Sequence, residues 1–119
     1  MASALEQLMH QARPVTAANV EAFLASPGPA LLLFTGDPAQ RVEAQDVAVV
    51  AGQLAHQVSG LRIGVAESAL QPRFQVAVVP TVLFLCDGEV RSRVPRIQDW
   101  AVYLRMAGLA FGKAQEAAP

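Results

Sequence analysis

The sequence contains a single cysteine, Cys86, and no surplus of either charge. One cysteine cannot form a disulfide within the chain, and His10, His56 and Cys86 lack the spacing of a metal site. Nine Lys and Arg residues face ten Asp and Glu residues, so no positive field exists to attract nucleic acid. We therefore expect no metal, no other cofactor and no nucleic-acid partner.

Long hydrophobic runs are also missing. The longest apolar stretch, residues 76–86, has eleven residues and is interrupted by Pro80 and Thr81, whereas a membrane helix needs about 20. The first residues include Glu6, where a signal peptide would have basic residues before an apolar stretch. We expect a cytoplasmic protein without membrane insertion.

The remaining composition suits one folded domain. Of 119 residues, 53% are hydrophobic and 16% are charged, which lies outside the range of chains that stay disordered. We predict a single domain over residues 1–111, beginning with a short helix, and a disordered tail over residues 112–119.

Hydrophobic patterns predict the element order β-α-β-α-β-α-β-β-α. The apolar run at 30–34 lies between turn residues and predicts a strand covered on both faces, which implies helices on both sides of a sheet. Thr16 is placed to cap the helix before this strand. Helical spacing over 47–58 predicts a long second helix. Pro72 limits the third helix to a short one.

The last third of the sequence predicts a hairpin and a closing helix. Asp87-Gly88 is a strong signal for a type I′ turn between antiparallel strands. The second strand, 90–94, alternates apolar and charged residues in the way typical of a sheet edge. The closing helix is expected to end near Gly108 or Gly112.

This order, with a strand opened by Val79-Pro80-Thr81 in "VVPTVLF", resembles the thioredoxin fold along residues 13–111. The resemblance implies an α/β fold with a central mixed sheet and helices on both faces. It also implies that Pro80 follows a cis bond beside the active-site loop. The backbone amide and carbonyl of Val79 would then face a bound extended peptide. The alternative is a trans proline that simply begins a strand.

The residues that give thioredoxins their chemistry are absent. A thioredoxin has Cys-x-x-Cys at the start of the helix after this strand, where the helix dipole lowers a thiol pKa. This sequence has Pro38, Ala39, Gln40 and Arg41 there, and Leu32 stands about where thioredoxins bury a carboxylate. Because the nucleophile and the proton-transfer group are missing together, we expect a protein that is not an enzyme.

Cys86 is predicted to lie at the end of the fourth strand, away from the loop at residues 36–41. A cysteine in a strand is usually a small buried hydrophobe whose burial makes the thiol unreactive. We expect a packing role. The alternative, a single-thiol oxidoreductase, requires an exposed and reactive Cys86.

The closer resemblance is to the HupG/HyaE family of hydrogenase expression and formation accessory proteins, which are thioredoxin-like and lack the cysteine pair. It is carried by the order of "LLLFTGDP", with Asp37 and Pro38, then "RFQVAVVPTVLFLCDGEVR" and "DWAVYL". The resemblance implies a chaperone for maturation of a nickel-iron uptake hydrogenase. Its partner would be the small-subunit precursor or its twin-arginine leader, with other hydrogenase accessory proteins as further candidates.

Two short segments supply the predicted partner-binding residues. They are the loop residues Asp37, Pro38, Gln40 and Arg41 and the turn residues Val79, Pro80 and Thr81. The turn would bind an extended segment by main-chain hydrogen bonds. Asp37, Glu43 and Asp46 could attract arginines, although Glu43 and Asp46 could equally cap helices and solvate the loop.

Two other functions stay open at this point. The same groove could bind a client unrelated to hydrogenase. A structural subunit could instead use a basic contact surface formed by Arg91, Arg93, Arg96 and Arg105, residues that more often keep an edge strand solvated. The sequence leaves the oligomeric state open.

Overall fold

A computed structural model describes residues 12–35 and 41–116, with the side chains at 12–35 and 47–111. The predicted N-terminal helix lies outside these residues. In chain order the elements are β1 (Arg13–Val15), α1 (Val20–Ala25), β2 (Pro29–Phe34), α2 (Arg41–Gln57), β3 (Arg62–Ala66), a 3-10 turn (Ser68–Leu70), β4 (Thr81–Cys86), β5 (Glu89–Pro95) and α3 (Trp100–Glu116). The predicted order is confirmed for this part of the chain, with the 3-10 turn as the short third helix.

The five strands form one mixed sheet in the order β1-β3-β2-β4-β5. β1, β3 and β2 are parallel, whereas β4 runs antiparallel to β2 and β5 antiparallel to β4. The central strand β2 has neighbours on both sides, and Leu31 to Phe34 are at most 1% exposed. This burial confirms the strand predicted to be covered on both faces, and the α/β architecture is that of a thioredoxin-like fold.

Alternate residues of β2 belong to two cores, because successive side chains of a strand point to opposite faces. Leu31 and Leu33 pack in the core formed with α2 and α3. Leu32 and Phe34 pack in the core that includes Val20 and the turn region around Leu70. The sheet therefore has helices on both faces. No helix in the described residues is both long and hydrophobic enough to cross a bilayer.

The β4–β5 hairpin has the predicted type I′ character, with positive φ at Asp87 (53°) and Gly88 (83°). Gly28 N–H donates to Asp87 Oδ1 at 2.7 Å, and Asp87 N–H donates to the Gly28 carbonyl at 3.1 Å. A Cβ on Gly88 would collide with the carbonyl oxygen of Leu24. The hairpin is thus fixed against α1, and β5 is the sheet edge that the sequence predicted.

The predicted cap at Thr16 is wrong. α1 begins at Val20, three residues later than a Thr16 cap requires. Thr16 Oγ1 instead accepts from Ala18 N–H at 3.2 Å, and Asn19 Oδ1 accepts from Thr16 N–H at 2.8 Å. Thr and Asn side chains readily make such local turns, and these turns compete with a helix.

The predicted end of the last helix is also wrong, because α3 continues through Gly108 and Gly112 to Glu116. A helical glycine costs about 1 kcal/mol relative to alanine, and the residues from Lys113 to Glu116 are strong helix formers. Residues 117–119 lie outside the described part of the chain. The division into a domain at 1–111 and a tail at 112–119 stays a prediction.

Candidate partner-binding site at the carboxyl end of β2

The strand register brings the predicted turn next to the predicted loop. Phe34, the last residue of β2, pairs with Thr81, the first residue of β4. Since the two strands are antiparallel, the start of β4 lies at the same end of the sheet as the carboxyl end of β2. Pro80 is therefore a neighbour of Thr35, from which the chain enters the loop.

The turn itself has the conformation that the thioredoxin resemblance implied. The Val79–Pro80 peptide bond is cis. Thr81 Oγ1 donates to the Val78 carbonyl at 2.7 Å, and Arg96 N–H donates to the Pro80 carbonyl at 2.7 Å. Pro80 and Thr81 are buried, so these bonds fix the turn where it enters the protein interior.

Val79 is the residue of the turn whose backbone is less completely paired among the described residues. The side chain of Val79 is half-buried against the core that contains Phe34. Within residues 12–35 and 41–116, the amide and carbonyl of Val79 have no hydrogen-bond partner. Backbone polar groups require a partner in the protein, water or a ligand. An extended segment lying beside the turn would supply one.

The loop residues of the predicted site are outside what the structure describes. This applies to Asp37, Pro38 and Gln40. Arg41 is the first residue of α2, but its side chain and those of Glu43 and Asp46 are outside the described set. Their part in partner binding stays a prediction.

A cleft of about 330 Å³ lies at the carboxyl ends of the three parallel strands. Its lining consists of Pro14, Val15, Thr16, Thr35, Val65, Ala66, Glu67 and Ser68. The carboxyl edge of parallel strands is where α/β proteins usually bind ligands. Because Thr35 borders both this cleft and the cis-proline turn, we treat the cleft, Thr35, Val79 and Pro80 as one site, the carboxyl-end groove.

Glu67 is a residue of this groove that the sequence analysis missed. Its Oε2 accepts from Ala17 N–H at 2.7 Å, and its own N–H donates to the Val15 carbonyl at 2.9 Å. These bonds fix an exposed carboxylate at the cleft, and among the described residues its Oε1 accepts no hydrogen bond. The only sequence signal was an acidic residue directly after a strand.

Cys86 lies at the other end of the same strands. It pairs with Pro29, five residues along β4 from Thr81. At roughly 3.3 Å per residue the separation from the groove is about 17 Å. The thiol is half-buried, with Sγ 4.0 Å from Asp87 Oδ2, so the expectation of a buried cysteine holds only in part. The hairpin turn leaves the strand end partly open to solvent.

The described residues contain neither the buried carboxylate of thioredoxins nor a group of side chains that could bind a metal ion. Leu32 is fully buried in the middle of β2. No group of three or more His, Cys, Asp or Glu residues within the described ranges could hold a metal ion. What the groove offers is main-chain donors and acceptors, hydroxyl groups and a carboxylate.

Two of the arginines on β5 make contacts near their own strand. Arg91 lies 3.7 Å from the carboxylate of Glu89, and Arg93 Nη1 donates to the Gln75 carbonyl at 3.2 Å. These contacts fit the solvated edge strand. A contact surface formed by them stays a prediction.

Known proteins resemble this chain over most of its length. The family model described as Hydrogenase-1 expression protein HyaE matches residues 4–103. The hydrogenase expression/formation protein HupG of Bradyrhizobium diazoefficiens is 40% identical over 104 residues, covering 80% of this chain and 70% of that protein. HupG of Rhizobium leguminosarum bv. viciae is 39% identical over 95 residues, with coverages of 72% and 64%. The hydrogenase expression/formation protein HoxO of Cupriavidus necator is 37% identical over 103 residues, with coverages of 81% and 64%. The chain thus spans about two thirds of these relatives.

Proposed function

The chain belongs to the family of the hydrogenase-1 expression protein HyaE, and from that premise we propose that it serves hydrogenase expression and formation as a non-catalytic binding protein. Its client is the small-subunit precursor of a nickel-iron uptake hydrogenase or the twin-arginine leader of that precursor. The names of the relatives support a role in hydrogenase expression and formation. The carboxyl-end groove supports binding of an extended client segment.

The observation that carries this proposal is the turn at Val79, whose amide and carbonyl have no hydrogen-bond partner among residues 12–35 and 41–116. Hydrogen bonds from Thr81 and Arg96 hold the turn, so it is available to a client in a fixed conformation. An extended client segment would pair with the amide and carbonyl of Val79. A prearranged edge lowers the ordering cost that the client must overcome.

Main-chain pairing alone is too weak to hold a client. Two hydrogen bonds contribute roughly 2 kcal/mol net, whereas micromolar affinity requires about 8 kcal/mol. The cleft beside Thr35 supplies the additional contact area, since it has room for client side chains. The client is therefore bound by its backbone at the turn and by its side chains in the cleft.

Carboxylates at the groove give the preference for arginine. A guanidinium group donates two parallel hydrogen bonds to a carboxylate. Glu67 presents such a group at the cleft, and Asp37 follows Phe34, the last residue of β2, by three positions in the sequence. A twin-arginine leader carries the complementary side chains.

The proposed role involves no thiol chemistry. Cys86 is about 17 Å from the groove by strand rise, at the opposite end of β4. Leu32 occupies the buried position in β2 with an aliphatic side chain. Neither residue can transfer a proton or attack a disulfide at the groove.

Calorimetric titration with a small-subunit leader peptide tests this function. We expect saturable binding that weakens when the arginine pair of the peptide is replaced by glutamine. Asp37→Asn and Pro80→Ala should each weaken capture, whereas Glu89→Gln, at the hairpin end, should leave it unchanged. Circular dichroism checks that Pro80→Ala remains folded, and Asp37→Asn keeps the test valid if it does not.

The opposite results would overturn the proposal. Absence of binding to both the leader and the full small-subunit precursor would exclude this client. Equal binding by the wild-type protein and both groove variants would exclude this site.

A further inference from the structure

Two arginines line a second cavity, at the end of the parallel strands opposite to the groove. The cavity has about 260 Å³ and is lined by Arg13, Phe23, Ser26, Leu61, Arg62 and Ile63. Arg13 pairs with Gly64, and Arg62 precedes Gly64 by two residues. Residues two apart on a strand share a face, so both arginines project from the same face of the sheet.

Arg62 is held in a fixed orientation. Its Nη1 donates to the Phe23 carbonyl at 3.0 Å and its Nη2 to the Ser26 carbonyl at 2.9 Å, while Cζ lies 4.9 Å from the centre of the Phe23 ring. These contacts cap the end of α1. A guanidinium group has five N–H donors, so donors remain after these two bonds. Nε is buried and has no hydrogen-bond partner in the described structure.

The positive charge at this cavity is not neutralised by the described residues. The ion pairs found in that part of the chain are Arg73 with Glu21 and Arg91 with Glu89, and no acidic residue is among the cavity lining. Burial, and after it the charge of Arg13, lowers the pKa of Arg62. Two like charges on one cavity are unfavourable unless an anion lies between them.

We propose that this cavity binds a small oxyanion, either a phosphate group or a carboxylate, between the guanidinium groups of Arg13 and Arg62. The fixed group of Arg62 provides the oriented donors, and the exposed Arg13 closes over the anion from the neighbouring strand. Both groups match the geometry of carboxylate and phosphate oxygens. The site lies at the other end of β3 from Glu67 and is independent of the client groove.

Nuclear magnetic resonance can test this site directly through the arginine Nε–H signals. The ¹⁵N-labelled protein is titrated with sodium phosphate and, separately, with sodium acetate, while sodium chloride keeps the ionic strength constant. We expect saturable shifts of the Arg62 and Arg13 signals with at least one of the two anions. The anion that saturates at lower concentration identifies the chemical class.

Variants separate this site from general attraction of anions to arginine. Arg13→Gln removes one positive group and leaves the bonds of Arg62 to α1 intact. It should lower the affinity for the anion by about fivefold or more. Arg91→Gln, on the edge strand, should leave the affinity unchanged. Shifts that never saturate, shifts at Arg91 equal to those at Arg62, or an unchanged affinity in Arg13→Gln would each overturn the proposal.

Discussion

The two ends of the β2–β4 pair differ in how their polar groups are used. At the hairpin end, Asp87 exchanges hydrogen bonds with Gly28 through both its side chain and its backbone. At the groove end, Val79 leaves its amide and carbonyl without a partner in the described structure, next to a cleft of about 330 Å³. The same two strands thus end in a closed junction on one side and, on the other, in the turn that we propose as the binding edge.

The comparison suggests a physical basis for the proposed binding site in a thioredoxin-like fold that lacks the redox residues. The hairpin end is fixed by backbone conformation and close packing, so it contributes to stability. Among the described residues, hydrogen bonds from Thr81 and Arg96 hold the turn at the groove end, and the amide and carbonyl of Val79 stay without a partner. A client bound to Val79, as proposed, would leave these two bonds intact, which is the arrangement expected of a prearranged site.

The largest expected effect is at the hairpin end. Gly88→Ala places a Cβ against the Leu24 carbonyl at a positive φ, and it should lower the free energy of unfolding by about 3 kcal/mol. Gly52→Ala is the matched control, because a Cβ there meets nothing within 4 Å inside α2. The control should raise stability by roughly 0.5–1 kcal/mol. Urea unfolding measures both, and equal stabilities would contradict the closed junction.

A smaller loss is expected from Asp87→Ala. The substitution removes the acceptor of the Gly28 N–H bond and places alanine at a φ of 53°, which should cost about 1–2 kcal/mol. Asp87→Asn retains an acceptor and tolerates this conformation, so it should restore most of the loss. Thermal unfolding of the two variants compares them. Leader binding should be unchanged in both, and weakened binding would show that the two ends are not independent.

At the groove end the expected effect is on binding and not on stability. Glu67→Gln keeps an acceptor for Ala17 N–H and removes the charge, so the unfolding temperature should not change. The affinity for an arginine-containing leader should fall by about fivefold, which corresponds to about 1 kcal/mol. The same peptide without arginines should bind the wild type and the variant equally. An equal loss for both peptides would mean that Glu67 acts on the shape of the cleft.

The smallest effect is expected at the exposed Glu21–Arg73 pair, whose nearest oxygen and nitrogen are 2.6 Å apart. The hydrogen bond from Arg73, and after it the Arg73 charge, lowers the pKa of Glu21 below its ordinary value of 4.5. The pair therefore adds stability above that pH and loses it as the pH falls through the lowered pKa. Glu21→Gln should lower the unfolding temperature slightly at pH 7, and this difference should shrink as the pH falls through the lowered pKa of Glu21. A difference that does not change with pH would assign the effect to packing.

The sequence predicted those features that are set by local chemistry. Asp87-Gly88 allowed few conformations other than a type I′ turn, and the apolar run at 30–34 required cover on both faces. The cis bond before Pro80 came from the fold resemblance, because proline composition alone does not distinguish cis from trans.

The sequence did not predict features that depend on competition between local structures or on tertiary contacts. Thr16 had a local turn with Asn19 as an alternative to capping, and Gly112 was outweighed by the helix formers around it. Glu67 gained its place in the cleft only because β1 and β3 are neighbours in the sheet. No pattern within one segment of the sequence carries that information.

Binding of a client at the carboxyl-end groove can be mapped by chemical-shift changes of the ¹⁵N-labelled protein during titration with the leader peptide. We expect the largest changes at the amides of Thr35, Glu67 and Val79, with little change near Cys86 and Gly88. Largest changes at the hairpin end or along α3, with the groove amides unmoved, would contradict it.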